Sequence, residues 1–248
     1  LRPDMPRPTF EEGGRRYINI YTPTLHETEG GDPSGGIAML EQLAPDLAER
    51  AWLTQWMAHK LRYPEVPGPA VIMVARAFGT GRSTFGELFK KLLGAQYVST
   101  IGFDHFAGRT YQSQYTAWQA DALMVIVNES STADNGSTFR TKHDTYERLK
   151  EIVDPRATER TIVTHGRPAY KAMVFASYLI FTNNPDALPL PAEDRRFWVC
   201  TNGERKGPEF WDGINTWMRE PANIAAFVRW LDAVDLSAFN PYDAPPMT

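Results

Sequence analysis

The sequence lacks several features that would place it in a common class of protein. It has one cysteine, Cys200, so no disulfide can form within the chain. No stretch approaches the roughly 18 consecutive apolar residues that a membrane-spanning helix needs. The five histidines are scattered without the spacing of a metal site. We therefore expect a soluble, cytoplasmic protein with no membrane partner and no structural zinc.

The chain also has no net positive charge. The chain carries 26 Lys or Arg against 30 Asp or Glu, which gives a net charge of −4. Any surface that attracts nucleic acid must therefore be local. The length of 248 residues is enough for one sizeable core, and the composition is that of an ordinary globular protein. Because the chain opens on Leu1 rather than Met, we expect it to be part of a longer polypeptide.

Composition and periodicity divide the chain into four regions. Residues 1–36 are rich in Pro and Gly and predict an extended arm or linker with one short strand at 16–21. Residues 37–68 have helical apolar spacing and predict an N-terminal helical region. Residues 69–203 alternate apolar runs with helical patterns, as in an α/β core with a parallel sheet. Residues 204–248 predict a C-terminal helical region and tail, with Trp211, Trp217 and Trp230 in its core.

Four fully apolar runs predict buried strands of that sheet. They are residues 71–75, 122–127, 178–182 and 197–200, and a shorter strand is expected at 97–101. Between the strand expected at 97–101 and the apolar run at 122–127, the aromatic residues around Tyr111, Tyr115 and Trp118 have helical spacing. This stretch is therefore predicted to be helical. A turn signal at 164–168 between two short runs indicates a β-hairpin.

A glycine-containing loop, residues 79–84, follows the first apolar run and precedes an amphipathic helix at 85–93. Strand, glycine turn and helix is the context of a phosphate-binding loop, in which backbone N–H groups surround phosphate oxygens. The usual pattern G-x-x-x-x-G-K-[ST] is not met, because Arg76 replaces its first Gly and Arg82 its Lys. An ordinary strand-to-helix turn is the alternative interpretation.

Polar residues end or precede the other strands. Because carboxyl ends of parallel strands meet at one edge of the sheet, these residues are expected to lie near the glycine loop. Each group also has a structural alternative: a solvated strand end, a turn, or surface charges paired with Glu193 and Asp194. The groups are Asn128 with Glu129, Asn183 with Asn184, and Arg195 with Arg196.

The order of these motifs resembles a known family. The segments FGTGRST, ALMVIVNES, YLIFTNNP and DRRFWV resemble the Walker A, Walker B, sensor-Asn and arginine-finger motifs of superfamily-three helicases. The resemblance is strongest to the helicase portion of phage and plasmid primase–helicase proteins and covers about residues 16–248. It implies an AAA+-type P-loop core, ATP and Mg²⁺ as ligands, and hydrolysis at the interfaces of a ring, in most cases a hexamer.

Roles follow from the resemblance residue by residue. Glu129 is the expected catalytic base, Asn184 the sensor with Asn183 as its alternative, and Arg195 the arginine finger with Arg196 second. Ser83 binds Mg²⁺ through its hydroxyl, and Asn128 contributes through water. The expected nucleotide-binding residues are Gly79, Thr80, Gly81, Arg82, Ser83 and Thr84.

The family's DNA-contacting hairpin corresponds here to residues 161–171. Its expected DNA contacts are His165, Arg167 and Lys171, although the same residues suit a solvated hairpin. Eight Lys or Arg and five Asp or Glu lie between residues 140 and 171, so this region is locally positive. The implied partners are single-stranded or forked DNA, further copies of the chain and an upstream primase or polymerase domain, in the cytoplasm of a bacterial host.

Two departures from the family pattern affect the expected activity. Arg82 keeps a positive charge at the lysine position, but its planar fork is not equivalent to an ammonium. Asn128 replaces an acidic residue that helps to hold Mg²⁺. The alternatives are a degenerate module that binds nucleotide and DNA with little or no hydrolysis, and a small-molecule phosphotransferase with a P-loop.

Overall fold

The computed structural model describes residues 1–5, 7–75, 79–128, 139–183, 190–191 and 194–246, with the side chains of 139–142 left out. Its strands are β1 (Thr9–Glu12), β2 (Arg15–Ile18), β3 (Ala70–Val74), β4 (Val98–Gly102), β5 (Met124–Asn128), β6 (Glu159–Ile162), β7 (Tyr170–Met173), β8 (Ser177–Thr182) and β9 (Phe197–Thr201). Its α-helices are α1 (Ser34–Leu43), α2 (Leu47–Arg62), α3 (Arg82–Leu93), α4 (Phe103–Phe106), α5 (Phe139–Val153), α6 (Pro208–Arg219) and α7 (Pro221–Asp232).

A five-stranded parallel sheet in the order β4-β5-β8-β3-β9 forms the centre of the molecule. The predicted α/β class with a parallel sheet is confirmed, as are the five predicted strands. Strands β3 and β8 are buried along their whole length, because helices cover both faces of the sheet. Strands in that position must be apolar on every residue, which is why they read as continuous apolar runs.

Alternate side chains of each strand point to two separate cores. Val71 and Met73 pack with α1, α2, α3, α6 and α7 on one face. Ile72 and Val74 pack with α4, α5 and the β6–β7 hairpin on the other. Helix α3 meets the first core through Phe85, Leu88, Phe89 and Leu92, whose spacing puts them on one side of the helix.

The N-terminal arm differs from its prediction. The expected single strand at 16–21 is the second strand of an antiparallel hairpin, β1–β2, that ends at Ile18. Beyond it the chain lies along α3 and the turn that follows: the Thr24 hydroxyl donates to the Leu93 carbonyl at 2.8 Å, and Tyr97 donates its hydroxyl to the Ile20 carbonyl at 3.3 Å. These contacts hold the arm against the α3 face of the molecule.

The aromatic stretch predicted as helical between β4 and β5 contains only two short 3₁₀ turns, at Tyr111–Gln114 and Ala117–Gln119. The two turns are tied to the β6–β7 hairpin at Thr116, whose amide donates to the Val163 carbonyl at 2.9 Å and whose hydroxyl accepts from the Val163 amide at 2.9 Å. These contacts with a distant segment replace helical hydrogen bonds, which the sequence spacing does not reveal.

Among the helices that the structure describes, none has both the length and the apolar content that crossing a membrane requires.

Candidate functional site

The glycine loop follows β3, an interior strand between β8 and β9, at the carboxyl edge of the sheet. Strand β3 leads through α3 to the far edge strand β4, whereas its neighbour β8 leads to β9 on the opposite side. Two adjacent strands whose connections leave in opposite directions form a crevice at their carboxyl ends, where ligands of open α/β sheets bind. The loop is therefore at the position where this topology favours a ligand.

The backbone of the loop exposes the start of α3. Gly79 and Gly81 have φ angles of +77° and +93°, which a residue with a Cβ rarely adopts. Gly81 is the N-cap residue of α3, no side chain caps the helix, and its first turn has no acidic residue. The first amide groups of α3 are therefore left without an intrahelical acceptor, and the helix dipole favours an anion there.

The carboxyl ends of the neighbouring strands lie in register with the end of β3. Val74 pairs with Thr182 of β8 and Thr201 of β9, and Asn128 of β5 pairs with Phe181. Asn128 is exposed, as are Ser83 and Asn183. The edge thus presents a hydroxyl and two amide side chains beside an anion-binding helix start. Glu129, Asn184 and Arg76 lie outside the described residues.

Arg82, which replaces the lysine of the usual phosphate-loop pattern, links the glycine loop to β8. Its guanidinium donates to the Thr182 carbonyl at 2.5 Å through Nη1 and to the Asn183 side-chain oxygen through Nη2. These contacts use two of its five N–H donors, in the fork geometry that separates arginine from lysine. The positive charge therefore lies between the loop and the end of β8.

Hard oxygen donors near the loop suit a magnesium ion bound with a nucleotide. The exposed Ser83 is the second residue of α3, and the exposed Asn128 is the last residue of β5. Mg²⁺ prefers few protein oxygens and completes its shell with waters and phosphate oxygens. No cluster of three His, Cys, Asp or Glu that could hold a metal by itself occurs in the described part of the chain.

The two arginines before β9 have different surroundings. Arg196 forms ion pairs with Asp154, at 3.2 Å, and Asp194, at 3.6 Å, and its own amide donates to Asp194 at 2.6 Å. Arg195 is exposed, and its charge adds to that of Arg196 in lowering the pKa of Asp154. Arg196 is therefore held by ion pairs within its own chain, whereas the Arg195 side chain is open to solvent.

Buried groups fix this segment in place. The Tyr146 hydroxyl donates to Asp194, and burial first and this hydrogen bond second raise the pKa of Tyr146 to about 12. Burial acts to raise the pKa of Asp154, but hydrogen bonds from the Arg156 amide and the Arg196 guanidinium outweigh it and leave the pKa lowered. The carboxylate of Asp154 therefore stays ionised and holds Arg196.

The predicted hairpin is present as β6–β7, with Thr161 opposite Lys171. Its tip turns at Gly166, whose φ is +69°, and His165, Arg167 and Lys171 are exposed. Lys171 lies 3.8 Å from Glu159, but both side chains are about two-thirds exposed, and such surface pairs contribute little. The tip is therefore open to a large ligand.

Two tyrosines beside the hairpin were not expected from the sequence to take part in this surface. The His165 ring packs edge-on against Tyr115, with centroids 5.4 Å apart, and Tyr115 packs the same way against Tyr111 at 6.3 Å. Tyr111 is 78% exposed. Tyr115 is partly buried between the exposed Tyr111 and His165. Proteins that bind single-stranded nucleic acids combine such aromatic rings with a cationic surface. The only sequence signal was the concentration of Tyr between residues 111 and 115.

Trp211 was expected in the core of the C-terminal helical region, as was Trp217. Trp217 is buried, but Trp211 is partly exposed at the first turn of α6 and donates its indole N–H to the Gly79 carbonyl at 3.0 Å. It closes one side of a cavity of about 220 Å³ whose other lining residues are those of the glycine loop. The site thus includes a residue more than 120 positions away in sequence.

Comparisons with known proteins agree with this architecture. A family model described as "Family of unknown function (DUF5906)" matches residues 74–196, which include the glycine loop, β5, the hairpin and Arg195. Search of curated proteins gave no match.

Solved structures of the C-terminal region of NrS-1 have a similar fold. The apo structure of residues 305–718 is 24% identical over 95% of this chain, with a TM-score of 0.74. The A form apo structure is 22% identical over 98% of this chain, with a TM-score of 0.75. The chain spans about half the length of these structures, 55% and 56%. At this identity the likeness is one of fold, and it covers nearly the whole chain.

Proposed function

We propose that this chain is the ATP-driven motor of a DNA helicase or translocase that acts in phage or plasmid replication. One observation carries the proposal: the glycine loop, Asn128, Thr182 and Asn183 meet at the crevice between two strands whose connections leave in opposite directions. A P-loop nucleotide site accounts together for a glycine turn, an uncapped helix start and amide side chains at that position, which supports the proposal.

The residues at the crevice have distinct proposed roles. Amide groups of residues 79–84 bind the phosphates. The Arg82 guanidinium contacts the γ-phosphate while it remains hydrogen-bonded to β8. Ser83 and Asn128 hold Mg²⁺, which when bound neutralises charge on the β- and γ-phosphate oxygens. Glu129 orients and deprotonates the attacking water, and Asn184 holds that water in line.

Hydrolysis is proposed to need a second copy of the chain. The exposed Arg195 supplies positive charge to the phosphates bound by a neighbour, and Arg196 cannot do so without breaking its pairs with Asp154 and Asp194. A closed ring follows when every subunit gives its arginine to the next, and the resemblance implies six subunits.

The hairpin and the tyrosine row form the proposed DNA surface. Arg167 and Lys171 contact phosphates, and Tyr111 and Tyr115 stack on bases. The Thr116 contacts with Val163 fix the two elements relative to each other. A ring would place one such surface per subunit along its pore, which supplies the local positive charge that the chain as a whole lacks.

Substitutions at this surface separate its two kinds of contact. Arg167→Ala should weaken binding of a single-stranded oligonucleotide and reduce the slope of log affinity against log salt concentration by about one. Tyr111→Ala should weaken binding about tenfold without a change of slope, because stacking releases no counterions. Fluorescence anisotropy at several salt concentrations measures both.

Arg16→Ala is the matched control, since Arg16 is an exposed arginine on the other antiparallel hairpin and pairs only weakly with Glu11. A loss of affinity in Arg16→Ala equal to that in Arg167→Ala would mean that the binding reflects overall charge, and the proposed surface would then be wrong.

The test of the function is the rate of ATP hydrolysis by the assembled protein with and without single-stranded DNA. DNA is expected to stimulate hydrolysis, and Glu129→Gln should abolish it while nucleotide still binds, because the substitution removes the base and keeps the shape. Equal rates with and without DNA would contradict coupling of the motor to DNA.

A second function is favoured by the contacts of Arg82. Its guanidinium is engaged by the Thr182 carbonyl and Asn183, which suits a module that binds nucleotide and DNA without turnover. In that case the wild type binds ATP and does not hydrolyse it, and Arg82→Lys raises turnover sharply. If the motor is adapted to arginine, Arg82→Lys lowers turnover instead.

A further inference from the structure

Trp211 stands apart from the other tryptophans of the C-terminal helices. Trp217, two turns along α6, is 8% exposed, packs edge-on against Phe227 and donates to the Asp32 carbonyl at 2.6 Å. Trp211 is partly exposed and packs edge-on against Phe210 at 4.9 Å. Core packing accounts for Trp217. Trp211 also packs against the edge of the core, but its contact with the Gly79 carbonyl at the glycine loop is not one that core packing requires.

The indole is held on the loop by two contacts. Its N–H donates to the Gly79 carbonyl at 3.0 Å. Its six-membered ring lies on Gly81 so closely that a Cβ there would be 1.9 Å from the ring carbon Cη2. Gly81 therefore has a second reason to be glycine, besides its positive φ. The approach leaves one side of the ring facing a cavity of about 220 Å³ that it shares with residues 79–84.

The cavity combines the two chemistries that a nucleotide presents. The start of α3 lines the cavity with amide groups that suit phosphate, and the Arg205 side chain lies beside the loop, with its Nε 3.5 Å from where a Gly79 Cβ would be. The indole of Trp211 lines the same cavity with an apolar ring, which phosphate cannot use and a nucleobase can.

We propose that Trp211 is a nucleobase-contacting residue of the site, on which the base of a bound nucleoside triphosphate stacks. This inference rests on the proposed nucleotide site and adds to it a binding determinant outside the loop motif. Because every base has a π-face, stacking on Trp211 is tolerant of base identity. ATP and GTP therefore gain comparable affinity from it.

The test compares ATP with inorganic tripolyphosphate, which has the phosphates and lacks the base. Calorimetric titration of the full chain gives both dissociation constants for the wild type, Trp211→Ala and Trp211→Phe. Trp211→Ala should weaken ATP binding about tenfold, in line with base stacking on an aromatic ring, and change tripolyphosphate binding less than twofold. Trp211→Phe keeps a stacking face and should stay near the wild type for both ligands.

Trp230→Phe is the matched control, since Trp230 stacks on Phe227 in α7 away from the loop, and it should bind both ligands as the wild type does. Thermal unfolding of each variant shows that it is folded. Equal losses for ATP and tripolyphosphate in Trp211→Ala would make the residue a support of the loop and overturn the inference, as would no loss for either. If the wild type binds tripolyphosphate but not ATP, the role of Trp211 is overturned and the phosphate site remains. If the wild type binds neither ligand, both the role of Trp211 and the proposed nucleotide site are overturned.

Discussion

Replacing Arg195 with alanine is expected to lower ATP hydrolysis by about a thousandfold, the smaller end of the range for removing an arginine finger, while nucleotide binding is retained. The reason is that the Arg195 side chain is exposed, whereas Arg196 is held in ion pairs within its own chain, so Arg195 can reach a neighbour's phosphates. Single-turnover hydrolysis by assembled protein, together with the dissociation constant for ATP, measures the effect.

The adjacent arginine is the natural control. Arg196→Ala breaks the ion pairs with Asp154 and Asp194, whose side chains are 18% and 3% exposed, so it should lower the free energy of unfolding rather than act on catalysis alone. If Arg196→Ala folds stably and loses hydrolysis while Arg195→Ala does not, the finger has been assigned to the wrong residue.

A mixing experiment shows whether the arginine acts between subunits. Arg195→Ala subunits keep an intact loop and base, and Glu129→Gln subunits keep the arginine, so some interfaces in a mixed assembly are complete. Mixing two inactive variants should therefore restore part of the hydrolysis. No recovery in mixtures that form rings would contradict action in trans.

The parallel sheet was predictable because its strands are buried on both faces. A strand in that position has no polar alternation, so residues 71–75 and 178–182 stand out as short apolar runs ended by Gly, Asn or Pro. The order of the strands was not predictable in the same way. It depends on pairings such as Val71 with Leu179 and with Trp198, more than 100 residues apart, and no local pattern encodes them.

The candidate site also has parts that the local sequence predicts and parts that depend on distant residues. The glycine loop and Asn128 were identified because a turn or a polar residue directly follows an apolar run. Trp211 and Tyr111 were not, since helical spacing of aromatic residues is usual for a core and their positions depend on distant partners. Arg82 was assigned to the glycine loop from its motif, whereas in the structure it is the first residue of α3. Its contacts with Thr182 and Asn183 depend on β8 lying beside β3. The positions of Trp211 and Tyr111 and the contacts of Arg82 are therefore set by tertiary structure and not by local sequence.

Lys60 provides the second large effect, on stability. It lies in the last turn of α2 and is completely buried, where its amine donates to the Phe175 carbonyl at 2.6 Å and the Pro64 carbonyl at 2.8 Å. Burial lowers the pKa of Lys60 from 10.5 to about 7, against the opposing effect of Glu65. Between these values the unfolded chain binds one proton more than the folded chain.

Stability is therefore expected to rise with pH above 7, by up to about 1.4 kcal/mol per pH unit, because deprotonation removes the cost of burying the charge. The gain ends where the unfolded lysine also loses its proton, near 10.5. Burial and Glu49 raise the pKa of the Cys200 thiol, and this changes stability with pH in the opposite direction. Because the thiol ionises first in the unfolded chain, stability falls as pH rises past about 8.5. The window from pH 7 to 8.5 thus avoids the Cys200 effect. Burial also lowers the pKa of His59 from 6.5 to about 4, so His59 adds a smaller slope of the same sign that fades within about one pH unit above 7.

Urea unfolding at pH 7.0, 7.75 and 8.5 measures this slope in the wild type and in Lys60→Met, which keeps the aliphatic chain and removes the charge. The slope should be steeper in the wild type, and Lys91→Met, a substitution of an exposed lysine on α3, should retain it. A slope that Lys60→Met leaves unchanged would mean that the two carbonyls hold Lys60 charged in the folded protein. The amine would then be a permanent buried cation, since two strong carbonyl acceptors can offset part of the cost of desolvation.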